Sequence, residues 1–334
     1  MIETSNGAPS QPPVYAAIDL GTNNCRLLIA QPGDESRNRI HVIDSFSRIV
    51  RLGENIGKTG KLSDAAVKRA TDALKVCAYK IKSRGALQTR AIATEACRKA
   101  INVQEFFNHV KKETGILFKT ITPIEEAKLT LAGCRPLLTT KHPKVLMFDI
   151  GGGSTELIWL ENKPTLDQKI IDIKSLPIGV VSLAEEFSSD KLSAKNFEII
   201  VGRIDNELAP FDKIHGIKKQ INTGNVHVLG TSGTMTTMGA IYLNQTRYNR
   251  SKVDGLSIRY ESINAICKNL ISLDIEARQN HPCIGPGRAD LMVMGCTILT
   301  AICRRWPTTH LTAADRGIRE GLLMEMINTN QAIS

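Results

Sequence analysis

Twice along this chain an apolar run ends at an aspartate, passes through a short glycine turn and resumes as a second run. The first copy has strand-like residues 14–18, then Asp19-Leu20-Gly21-Thr22-Asn23-Asn24, then residues 26–30. The second has residues 145–148, then Asp149-Ile150-Gly151-Gly152-Gly153-Ser154-Thr155, then residues 156–160. Short apolar runs bounded by turn residues read as strands, so each copy predicts a strand, a turn and a second strand. Two halves that begin alike predict two related sheets facing each other. A chain of 334 residues exceeds what one core usually organises, which agrees with two domains.

The intervening segments fill in an α/β plan. Residues 62–81 repeat apolar positions at helical steps, with Ser63 placed to cap the start and Gly85 just past the end. A strand over 87–93, a short helix over 95–100, a helix over 103–112 and a strand over 116–121 follow. Pro123 then opens a helix over 124–132, since proline suits a first helical turn. Residues 135–143, with two prolines, read as the boundary between domains. In the second half come a strand near 170–175, helices over 180–187 and 196–208, and a strand over 226–229. That strand enters a third small-residue turn, Gly230-Thr231-Ser232-Gly233-Thr234, which opens a helix; two more helices are expected over 289–304 and 316–327.

Composition narrows the function. The formal charge of +10 favours anionic partners without choosing one. Aromatic content of 4 %, with no basic-aromatic interleaving, argues against a specific nucleic-acid binder. The eight cysteines show no paired or zinc spacing, so buried thiols in a reducing, cytoplasmic setting are expected. Residues 1–13 carry no signal-peptide pattern and read as a disordered tail; no apolar run is long enough to span a membrane.

The turns carry the chemistry. Without a Cβ, glycine lets backbone N–H groups approach an anion closely, and several converging donors form a nest for phosphate. Taken singly, Asp19 to Asn23 is an ordinary hairpin turn, and the turn at Gly230 is equally well a capped one. Three consecutive glycines followed by Ser154, Thr155 and Glu156 exceed what a hairpin needs. The pattern lacks the lysine of a P-loop and runs into a strand, so neither Walker nor Rossmann binding fits. All three turns follow strands, where α/β sheets place their ligands.

Together, Ala17-Ile18-Asp19-Leu20-Gly21-Thr22-Asn23, residues 93–100, Ile124-Glu125-Glu126-Ala127, residues 148–156, residues 230–236 and Asp315-Arg316-Gly317-Ile318-Arg319-Glu320-Gly321 resemble the exopolyphosphatase and guanosine pentaphosphate phosphohydrolase family. That family belongs to the actin-like ATPase superfamily. The resemblance implies two ribonuclease-H-like lobes with an interdomain cleft: an N-terminal lobe over 14–135, completed by a return helix over 316–330, and a C-terminal lobe over 136–315. It makes Glu126 the base that activates water and places Arg98 near the substrate. The phosphate contacts it implies are Asp19, Gly21, Thr22, Asn23, Gly151, Gly152, Gly153, Ser154, Thr155, Gly230, Thr231, Ser232 and Gly233. Asp149 and Glu156 flank the glycine turn and suit magnesium, although Glu156 equally well orients water or a turn amide. Longer family members carry a further helical region with a His-Asp motif; no His-Asp dipeptide occurs here, so the short two-lobe form is expected. Asn24 and Cys25 stand where many relatives have serine and an apolar or aromatic residue. The expected reaction is release of orthophosphate from inorganic polyphosphate, with guanosine pentaphosphate (pppGpp) as the alternative substrate. An actin-like kinase or ATPase is the less favoured class. A homodimer is the default expectation for assembly.

Overall fold

The computed structural model describes residues 12–33, 40–139, 141–163, 168–187 and 192–331. The expected tail lies almost wholly outside these. Among the described residues, eleven strands form two sheets. The first contains β1 (Tyr15–Leu20), β2 (Asn24–Pro32), β3 (Ile40–Ile49), β4 (Gln88–Ala93) and β5 (Phe118–Thr120) in the order β3-β2-β1-β4-β5. The second contains β6 (Lys144–Ile150), β7 (Thr155–Asn162), β8 (Gln168–Leu176), β9 (Val226–Thr231), β10 (Leu256–Arg259) and β11 (His310–Ala314) in the order β10-β11-β9-β6-β7-β8.

With β10 set aside as an added edge, the two orders are the same. In each, the first strand pairs antiparallel with the second and parallel with the fourth. The repeated strand–Asp–Gly–strand pattern is therefore the central hairpin of each of two ribonuclease-H-like lobes. Each parallel crossover runs through helices, as a parallel connection must. Those of the first lobe are α1 (Ile56–Thr59), α2 (Asp64–Ser83), α3 (Glu95–Lys99) and α4 (Val103–Thr114), while α5 (Pro123–Cys134) follows the last strand of the first sheet and leads to the second. Those of the second are α6 (Val180–Glu186), α7 (Ala194–His215), α8 (Ile217–Asn222), α9 (Gly233–Tyr242), α10 (Arg250–Val253), α11 (Tyr260–Ser272), α12 (Ile275–Gln279) and α13 (Ala289–Arg305). The chain closes with α14 (Ile318–Gln331).

Local chemistry sets these starts. Ser63 accepts from the Ala66 amide and caps α2. Thr122 and Glu125 form a reciprocal capping box at α5, with Pro123 in the first turn. Helix α14 returns to the first sheet: Ile318, Leu322, Leu323 and Met326 pack with Tyr15, Ala17, Leu28 and Ile92. Helix α5 serves both sheets. Leu129 joins that first-lobe cluster, whereas Ala127, Leu131 and Cys134 pack on Met147, Ile158 and Leu229 of the second sheet. No helix among the described residues is long and apolar enough to cross a membrane, and all eight cysteines are free thiols.

Candidate active site

All three turns open on one cavity of ≈ 1070 Å³ between the lobes, and Gly21, Gly151 and Gly233 all stand on its wall. Each hairpin turn is closed by its own first glycine: Gly21 N donates to Asn24 O and Gly151 N to Ser154 O, both at 2.9 Å. Among the described residues, the amides of Thr22, Asn23, Gly152 and Gly153 donate to nothing. These are the free donors of the two turns. The turns also touch. A Cβ on Gly152 would lie 2.9 Å from Thr22 Cβ, and one on Gly153 would overlap the Glu95 carboxylate. Glycine at these positions is thus demanded by the approach of the lobes as well as by any anion.

The two hairpins differ in what faces their aspartates. Arg26 is the cross-strand neighbour of Asp19, and Glu156 that of Asp149. Directly opposed residues share a face of the sheet. Burial raises the Asp19 pKa, opposed by Arg26 and Arg319. Burial, reinforced by the Glu156 charge, lifts Asp149 to about 7. Glu156 lies behind the cavity wall, where it accepts from Ser175 Oγ at 2.9 Å; burial raises its pKa too.

Glu126 sits in the first turn of α5, fixed there by the capping box. Its Oε2 accepts from Arg98 Nη1 at 2.8 Å, and the same nitrogen donates to Ile121 O at 2.9 Å. Burial first, then the Glu156 charge, hold Glu126 well above the usual carboxylate range against the pull of Arg98. Glu126 reaches the cavity; Arg98 stands behind it.

At the third turn, Ser232 adopts φ +103°, unusual for a residue with a side chain, and caps α9 by accepting from Thr234 N at 3.3 Å. Thr231 Oγ1 donates to Arg316 O at 2.7 Å, tying the turn to the start of α14. Of the expected phosphate contacts, Asp19, Gly21, Thr22, Asn23, Gly151, Gly152, Gly153, Ser154, Thr231, Ser232 and Gly233 line the cavity, as do Glu126 and Asp149. Arg98, Thr155, Glu156 and Gly230 do not. Thr155 Oγ1 donates inward to Ile178 O, and a Cβ on Gly230 would overlap the Phe148 ring. The turn proper is narrower than expected, because Gly230 and Thr231 still belong to β9.

Among the wall residues that sequence reading did not assign to the site are Arg26, Glu95, Arg288 and Arg319. Arg26 forms no ion pair among the described residues; Arg288 reaches only Thr237 Oγ1, at 3.5 Å, and Arg319 only Glu320, at 3.9 Å. These guanidinium groups are available to an anion. Arg26 was discoverable: a lone cation inside a buried strand, seven residues after Asp19 in a hairpin, must face it. Among the described residues no three acidic, histidine or cysteine side chains converge as a metal cage. Magnesium needs only one or two carboxylates, its remaining positions going to water and phosphate. Asp149, on the cavity wall, fits that demand, as does Asp19, whose buried Oδ1 lacks a partner; Glu156 stands behind the wall on Ser175 Oγ, where its charge raises the proton affinity of Asp149.

The family model described as the Ppx/GppA phosphatase family matches residues 28–330. The chain is 28% identical over 322 residues to exopolyphosphatase 2 of Mycobacterium tuberculosis, covering 93% of this chain and 98% of that one. It is 28% identical over 323 residues to the guanosine-5'-triphosphate,3'-diphosphate pyrophosphatase of Photobacterium profundum, covering 95% of this chain but only 60% of that longer protein. The crystal structure of the Aquifex aeolicus Ppx/GppA family member superposes with a TM-score of 0.77 at 27% identity, over 95% of this chain and 98% of that one.

Proposed function

The chain belongs to the Ppx/GppA phosphatase family, and from that premise we propose that it is an exopolyphosphatase, removing the terminal phosphate of inorganic polyphosphate as orthophosphate. One observation carries the reading. Free turn amides from both lobes and the guanidinium groups of Arg26, Arg288 and Arg319, among the described residues without a carboxylate partner closer than 3.9 Å, line a single cavity, and a buried glutamate stands at its edge. A linear polyanion with no hydrocarbon of its own is matched by such a lining.

The chemistry follows from positions. Thr22, Asn23, Gly152 and Gly153 amides hold the terminal phosphoryl oxygens, and Arg26, Arg288 and Arg319 hold the phosphates behind it. Water oxygen attacks the terminal phosphorus as the bridging P–O bond breaks. Glu126 as the carboxylate, its proton affinity raised by burial and by the Glu156 charge, takes the proton from that water. Arg98 fixes the Glu126 rotamer and moderates its charge. Such catalysis is mostly positioning and electrostatics. Asp149 and Asp19, with Glu156 standing behind them, would hold magnesium, which would supply charge neutralisation on the phosphoryl oxygens.

The experiment is phosphate release from polyphosphates of graded length, with and without magnesium. No release at any length would sink the reading. A second reading, hydrolysis of pppGpp, is favoured by one feature: Ile284, Leu291 and Met292 add an apolar wall beside Arg288 that a nucleoside can use and polyphosphate cannot. A specificity constant more than about tenfold higher for the nucleotide, worth about 1.4 kcal/mol, would reverse the order. We place the protein in the cytoplasm, as a homodimer without a specific nucleic-acid partner.

A further inference from the structure

The two lobes are also joined far in sequence from α5, whose faces serve both sheets. The segment after β3 is bonded directly to the first phosphate turn: Val50 N and Arg51 N donate to Asn23 O at 2.8 and 2.9 Å, and Gly53 N to Thr22 O at 2.9 Å. From there it reaches the other lobe. Arg51 Nη2 pairs with Asp290 in the first turn of α13 at 3.0 Å, and Asn55 N donates to Glu185 Oε1 on α6 at 2.6 Å. Helix α6 is itself bonded to the second phosphate turn, Val180 N to Gly151 O at 3.0 Å and Val181 N to Gly152 O at 2.7 Å. Just before the segment, Ile49 packs so tightly on Gly287 that a Cβ there would lie 2.6 Å from Ile49 Cδ1.

The circuit is complete: first turn, strap, α6, second turn. Its backbone is unusual as well. Only four non-glycine residues among those described have positive φ, and two of them, Arg51 at 47° and Asn55 at 58°, are the strap's two attachment points. Side-chain-bearing residues hold that conformation where surrounding contacts impose it.

We infer that residues 50–56 form an interlobe strap that sets the separation of the two phosphate turns, with Arg51, Glu185 and Asp290 as positioning residues. None of these three lines the cavity, so each acts through the turns and not on substrate. The strap's effect on substrate rests on the phosphohydrolase reading; its effect on the turns does not.

The test is the double variant Glu185→Ala/Asp290→Ala, read in two ways. Hydrogen exchange without substrate is expected to rise at residues 22–23 and 151–153. With tripolyphosphate as probe, KM is expected to rise about tenfold while kcat changes less than about threefold, as misplaced binding groups imply. Arg51→Ala, Asp290→Ala and their combination should raise KM equally, since they break one pair. Unchanged exchange at both turns overturns the strap, whatever the activity. Additive effects of Arg51→Ala and Asp290→Ala overturn the pairing. If the unaltered protein releases no phosphate, the phosphohydrolase reading falls, and hydrogen exchange still decides the strap.

Discussion

Glu126 combines two properties that a solvated helix glutamate lacks: it is buried, and its one strong partner is a guanidinium that leaves its other oxygen toward the cavity. Glu126→Gln keeps the shape and an acceptor for Arg98 but cannot take a proton. It is expected to lower kcat by about 10²–10⁴ with the thermal midpoint little changed. Near wild-type turnover in a folded variant would remove Glu126 from the base role. Asp149 gives a second prediction at this scale. Its pKa near 7 means that a proton competes with any cation below neutrality. The magnesium concentration for half-maximal thermal stabilisation should rise as pH falls through about 7. Asp149→Asn should flatten that dependence, and a pH-independent magnesium effect in the unaltered protein would count against Asp149 as a ligand.

At the scale of elements, the first turn of α5 matters most because it carries the proposed base. Thr122 accepts from Glu125 N, and the Glu125 carboxylate accepts from Thr122 N at 2.8 Å. That backbone bond, with Lys119 beside it, holds Glu125 down to about 2. The cap therefore contributes fully above the ordinary carboxylate pKa and is lost only as pH falls toward 2. Thr122→Ala should destabilise the protein by about 1 kcal/mol in urea denaturation at neutral pH, and Thr122→Ser should restore most of it. An unchanged midpoint in Thr122→Ala would mean that packing alone holds the helix start.

Elements with strong local signals are the ones legible in sequence. Both central hairpins, the helix capped by Ser63 and the helix opened by Pro123 depend on nearest neighbours. Strand β3 was not legible because Asp44, Ser45, Ser47 and Arg48 interrupt its apolar positions; it lies at the sheet edge, where neither face is fully covered. Strands β10 and β11 are too short to show a period. In the site, the turns were legible because glycine is rare without cause. Arg288 and Arg319 were not: their meaning depends on which lobe they meet.

The whole molecule turns on the crossing of α5 and α14. A Cβ at Gly133 would overlap Gly317 O, and one at Gly321 would overlap Leu129 O, so the helices cross at backbone distance. Cys134 Sγ and Thr231 Oγ1 both donate to Arg316 O at the same place, 3.4 and 2.7 Å away. One helix face belongs to each sheet, so any added volume at the crossing separates the lobes and not merely two helices. Gly133→Ala places a methyl against backbone, which cannot rotate away as a side chain can, and overpacking of this kind costs about 1–3 kcal/mol. The crossing, the strap and the contact of Thr22 with Gly152 all hold the lobes together, so displacing the crossing shifts the turns against each other. The variant should therefore lose stability and weaken substrate binding together, whereas Thr122→Ala should lose stability with KM unchanged. Gly133→Ala with unaltered stability would show that the crossing has slack. Lost stability with unaltered KM would show that it does not set the cleft.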